Sequence, residues 1–120
     1  MNESQQNKPV SIRDHFRRPQ LADFRHSGAV ATWATAHFPG DQHRVAALLA
    51  GILCEQVGDC LAELQPASHF NRDIAVYDYF DAAEYVAAVE EQFHISIPEQ
   101  QRQHLQHFND LVQYIQTNTQ

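Results

Sequence analysis

Asp78-Tyr79-Phe80-Asp81-Ala82-Ala83-Glu84-Tyr85-Val86-Ala87-Ala88-Val89-Glu90-Glu91-Gln92-Phe93 is the stretch on which the reading of the fold turns. Its apolar residues recur at three- and four-residue steps among acidic ones, the pattern of a helix with one buried and one charged face. The spacing predicts a helix that starts at Asp78. There the carboxylate would accept from the free N–H groups of the first turn, and Asp81 would add charge that suits the helix dipole. The expected inward face is Tyr79, Ala83, Val86, Val89 and Phe93.

Working back from this stretch, Asp59 to Tyr77 reads as a long loop, interrupted by Pro66 and anchored by Leu61, Leu64, Phe70 and Ile74. A loop of that length must be packed down to be stable. Before it lies the strongest helical pattern of the chain: Val45, Leu48, Leu49, Ile52, Leu53 and Val57 trace one face, Asp41 can cap the start and Gly58 can end it. Residues 21–40 hold one more helix, with Leu21, Phe24, Val30, Trp33 and Phe38 apolar, Ser27 as cap and Pro39-Gly40 as stop. Working forward, His94-Ile95-Ser96-Ile97-Pro98 alternates like a strand but is too short and isolated for a sheet. A short helical stretch follows from Glu99 to about Gln106. In a last helix Phe108, Leu111, Val112 and Ile115 share a face. The expected fold class is all-α, a helical bundle with one long ordered loop.

With 120 residues, 43% of them apolar, the chain has room for one core and hardly for two. Fifteen acidic against eight basic residues give −7, the wrong sign for life on phosphate backbones, so nucleic acid is not expected as a partner. The charge is uneven. Lys8, Arg13, Arg17, Arg18 and Arg25 against Glu3, Asp14 and Asp23 leave residues 1–40 at +2, and the remainder at −9. Residues 1–40 read as a mildly basic arm whose first twenty residues are polar and partly disordered, with a fold-back of the arm onto the acidic body, or a bridge to a partner, as the sharper alternatives. No apolar run approaches membrane-spanning length and the N-terminus lacks the build of a secretion signal, so a cytoplasmic protein without membrane insertion is expected. Cys54 and Cys60 are six apart. On one continuous helix they would point about 240° from each other, and they are therefore expected to remain unpaired, reduced thiols.

From about Asp41 to Thr117 the chain resembles an acyl carrier protein. Glu55-Gln56-Val57-Gly58 is similar to the phrase that ends the family's first helix, Ser68-His69-Phe70 falls at its loop phenylalanine, and Asp73-Ile74-Ala75 resembles the acidic, leucine and glycine residues that follow. Glu84-Tyr85-Val86 with Glu90-Glu91-Gln92-Phe93 resembles its recognition helix. Ile97-Pro98-Glu99, Leu105, Phe108, Val112 and Tyr114-Ile115 resemble its closing segment. The resemblance implies a four-helix bundle over residues 41–117, an additional N-terminal helix over 21–40 and a tail at 118–120. It also implies partner proteins, among them biosynthetic enzymes with basic patches in fatty acid or polyketide synthesis.

The family hangs its phosphopantetheine arm on a serine in an Asp-Ser-Leu phrase; here the phrase is Asp78-Tyr79-Phe80. Tyr79 stands at the serine position, or Asp78 if the alignment slips by one residue. A phenol holds its hydroxyl much farther from the backbone than serine does, and a carboxylate is not a suitable acceptor. No cofactor is therefore expected. Asp78, Tyr79, Phe80, Asp81, Glu84, Glu90 and Glu91 become the candidate partner-binding residues, the acids for steering and the two rings as a contact patch.

Other constellations point to less. His104 and His107 are three apart with His94 nearby, but no zinc spacing surrounds them. These residues and His15, His26, His37, His43 and His69 are expected at the surface, with no metal. Ser27 beside His26 is not a triad, and there is no nucleophile elbow or glycine loop, so no enzyme is expected. Trp33 either pins the extra helix to the core or stands exposed as a binding anchor. The functional reading is a non-enzymatic adaptor or regulator similar to a carrier. The alternatives are a carrier with atypical attachment or non-covalent acyl binding, and an interaction module whose binding part is the N-terminal segment and the Trp33 helix.

Overall fold

A computed structural model of the protein describes residues 24–119; the polar segment over 1–20, Leu21 and the final tail residue lie outside the described residues. A short 3-10 turn, Phe24–His26, leads into helix α1, Gly28–His37, and then helix α2, Gln42–Val57. A single π-type turn at Phe70–Ile74 lies in the long loop. It is followed by α3, Ala82–Phe93, the one-turn helix α4, Glu99–Arg102, and α5, Phe108–Asn118. The architecture is an all-α bundle with an additional helix at its N-terminal side.

Helix α2 is the centre. It packs against α1, α3 and α5, which is why burial extends well beyond the one face read from its spacing. Val45, Leu49, Ile52 and Leu53 are joined inside by Ala46, Ala50, Gly51, Cys54 and Gln56, with Leu48 and Val57 partly exposed. Small residues let three neighbours approach. Gly51 has a direct reason to be glycine, because a Cβ there would sit 2.4 Å from the Cα of Arg25 in the passing N-terminal segment. Asp41 occupies the N-cap position without a side-chain cap bond, and Gly58 ends the helix at φ 96° with its N–H on the Cys54 carbonyl.

Ser27 caps α1 through its hydroxyl, which accepts from the Val30 N–H at 3.2 Å. Trp33 is buried. Its indole N–H donates to the Leu64 carbonyl at 3.2 Å and its ring meets Phe108 edge-on at 5.8 Å, so it pins α1 to the bundle and is not an exposed anchor. The long loop is packed down by the same logic. Leu64 and Ile74 are fully buried, and the loop carbonyls of Ser68 and Pro66 accept the N–H groups of Phe108 and Asn109, two of the free donors at the start of α5. Residues 94–98 form no strand. His94 ends α3 in the left-handed conformation, and the chain is then held by Ile95 N–H to the Glu90 carbonyl and Ile97 N–H to the Glu90 carboxylate. The helical stretch after Pro98 stops at Arg102 rather than near Gln106. In α5 the expected face of Phe108, Leu111, Val112 and Ile115 is the buried one.

Candidate functional site

The entry to α3 departs from its expected form. The helix begins at Ala82, and Asp81, not Asp78, is the N-cap, its carboxylate accepting from the Glu84 N–H at 3.0 Å. Both aspartates precede the apolar pattern, and a start three residues later satisfies it equally well. Ahead of the helix Tyr77 to Phe80 close a turn, Phe80 N–H to the Tyr77 carbonyl at 3.2 Å, with Tyr79 at φ 72°. A bulky residue rarely adopts that conformation, and holding it costs about 1–3 kcal/mol. Tyr79 is therefore not an inward residue of α3. It is 42% exposed, and Val76, three residues before it, is 71% exposed; these are the large apolar side chains that stand out from the described surface.

The inward face also differs from the expected one. Tyr85 and Val89 are buried, Val86 and Phe93 partly so, and Ala83 is exposed. Tyr85 is tolerated inside because its hydroxyl donates to the Leu49 carbonyl at 2.9 Å, joining α3 to α2; burial holds its phenol well above the usual value. Phe80 leans back on Tyr85, ring centres 6.0 Å apart.

The candidate acids separate into two kinds. Asp78, Asp81, Glu84 and Glu91 are exposed along the turn and the helix. Glu90 is half-buried, and its carboxylate holds the Ile97 backbone at 2.8 Å, a structural bond that commits one of its oxygens. Two features depend on contacts between distant segments. Arg25 clamps the N-terminal segment to two helices, its N–H and Nε on the Glu55 carboxylate at 3.2 and 2.8 Å and its guanidinium on Gln92 at 2.7 Å. A cavity of about 340 Å3 lies between the loop, the start of α3 and the α4–α5 segment, walled by Phe70, Phe80, Tyr85, Ile97 and Leu105 with Arg102 also on its lining. Its walls come from four separate segments, so no local pattern announces it.

His104 and His107 do not share a helix: His104 lies in the turn after α4, and His107 is the N-cap of α5, bonded to Asp110. His69 instead stands against His107, ring centres 5.0 Å apart, where the two strands of chain form an isolated antiparallel bridge. Among the described residues no group of three or more His, Cys, Asp or Glu side chains is placed to hold a metal ion, and no helix is long and apolar enough to cross a membrane.

These elements define a small helical carrier-type bundle with an acidic helix entered through an exposed aromatic turn. The comparisons with known proteins agree. An acyl carrier protein of Helicobacter pylori strain J99 is 31% identical over 70 residues, 58% of this chain and 88% of that protein. The acyl carrier proteins of Helicobacter hepaticus and Wolinella succinogenes are each 34% identical over 67 residues, 56% of this chain and 87% of theirs. No protein-family model matches. The chain belongs to the acyl carrier protein family.

Proposed function

We propose that this protein is a non-enzymatic member of the family that recognises partner proteins through the turn and helix at 78–91 and carries no phosphopantetheine arm. The observation that carries the reading is Tyr79. By the resemblance of Asp78-Tyr79-Phe80 to the family's Asp-Ser-Leu phrase it takes the place of the attachment serine; its side chain is a phenol, and its backbone lies in a left-handed turn ahead of the helix rather than at the helix start. The N–H seat there is filled by the Asp81 carboxylate of the chain itself. Val76 and Tyr79 are exposed apolar side chains, and Asp78 and Asp81 beside them in sequence, with Glu84 and Glu91 farther along α3, add negative charge suited to a basic patch on an enzyme of fatty acid or polyketide synthesis.

The test is binding to such enzymes by wild-type protein and by Tyr79→Ala, with melting temperature measured alongside. The expected result is an unchanged fold, lost binding and, for the wild type, affinity that falls as salt rises. Unaltered binding by the variant, or binding indifferent to salt, contradicts the reading.

The cavity favours a second reading, in which a fatty chain lies between the loop and α3 without covalent attachment and its carboxylate meets Arg102. Saturable binding of a fluorescent fatty acid that weakens in Arg102→Ala supports it; no saturable binding removes it.

A further inference from the structure

Cys54 and Cys60 have no part in the functional reading, yet the fold brings them together. The expectation that they point apart assumed one helix through both. Instead α2 stops at Val57, Gly58 turns the chain at φ 96°, and Cys60 returns to the side of the helix it has just left. The Sγ atoms lie 3.4 Å apart, both side chains are buried, and both are free thiols. The pair holds its protons unequally. The hydrogen bond from Cys60 draws the Cys54 thiol below its usual value, and that same bond, with burial second, pushes Cys60 up. Access comes from the turn, because Asp59, Ala62 and Glu63 beside Cys60 are exposed and opening that turn leaves α2 in place.

We propose that Cys54 and Cys60 are a reversible oxidation site, at which a low-molecular-weight disulfide converts the dithiol to an intramolecular bridge across the end of α2. The Cys54 thiolate attacks one sulfur of the oxidant, forming a mixed disulfide as the oxidant's own S–S bond breaks and one thiol leaves. Cys60 then gives its proton to solvent base and attacks the Cys54 sulfur, forming the bridge and releasing the second thiol. The protein loses two electrons and two protons, and the oxidant takes up both. Closing from 3.4 Å to the roughly 2.05 Å of a disulfide requires the sulfurs to approach further, and Cys60 lies in the turn outside the helix. The bridge would tether the turn whose Leu64 carbonyl receives the Trp33 indole, so it would tighten the docking of α1 as well.

The experiment treats the reduced full chain with excess oxidised glutathione, then measures intact mass, alkylatable thiols after unfolding, and melting temperature. The expected result is a monomer lighter by two hydrogen atoms, no reactive thiol, and a melting temperature higher by roughly 5–10 °C that dithiothreitol reverses. Stable glutathione adducts, disulfide-linked dimers, two remaining thiols or an unraised melting temperature would overturn it. In Cys60→Ala, which can form at most a glutathione adduct on Cys54, the oxidant should give no rise in melting temperature, and a rise that persists there counts equally against the bridge.

Discussion

Gly58 and Tyr79 each hold a positive φ next to a helix, and they do so on opposite terms. Gly58 ends α2 at φ 96° with no side chain to strain, in a turn whose next anchors, Cys60 and Leu64, are buried. Tyr79 precedes α3 at φ 72° with a large ring that is 42% exposed. The first turn serves packing around α2. The second holds strain at the surface under a ring that is only partly covered. The difference separates a turn that serves packing from one whose strain the core does not explain.

The comparison breaks first if α2 is not the centre. Leu49→Ala removes a fully buried side chain at the meeting of α2 with Tyr85, and chemical denaturation should show a loss of about 2–5 kcal/mol. Gly51→Ala should cost about 1–3 kcal/mol, although alanine is the better helix former, because the new methyl meets the Arg25 backbone.

How much of this the sequence foretold depends on the range of the signal. The inner faces of α2 and α5 and the Ser27 cap are periodic or local features, and they are where their spacing puts them. The start of α3 was misplaced because Asp78 and Asp81 are equivalent as caps on local grounds; the turn at Tyr79 decides between them. The Cys54–Cys60 contact, the Arg25 clamp and the cavity were not legible, since each depends on where separate segments meet in space.

Around the entry to α3 the effects should be smaller. Asp81→Ala should lower stability by about 1 kcal/mol through loss of the cap, whereas Asp78→Ala should change it by less than about 0.5 kcal/mol. Equal losses in the two variants would return the helix start to Asp78. Tyr79→Gly should change stability by less than about 1 kcal/mol, since the relief of positive-φ strain offsets the loss of the covered part of the ring. A clear loss there would mean that the ring belongs to the core.

At neutral pH the buried phenols leave stability unaffected, and their influence belongs to alkaline solution. Burial raises Tyr85 well above the ordinary 10.0 and is the largest cause that pushes Tyr77 up to about 12. Above pH 10 the unfolded chain gives up these protons before the folded one does, so the folded state binds more protons and stability falls as pH rises. Denaturation titrated from pH 9 to about pH 12 should show that decline, with a shallower slope in Tyr85→Phe.

Whether the molecule recognises without carrying is decided by the intact mass of protein purified from its native cells, which should be that of the polypeptide with no phosphopantetheine on any residue. A species heavier by that group, removed by Tyr79→Phe or by substitution of any serine, would contradict that reading.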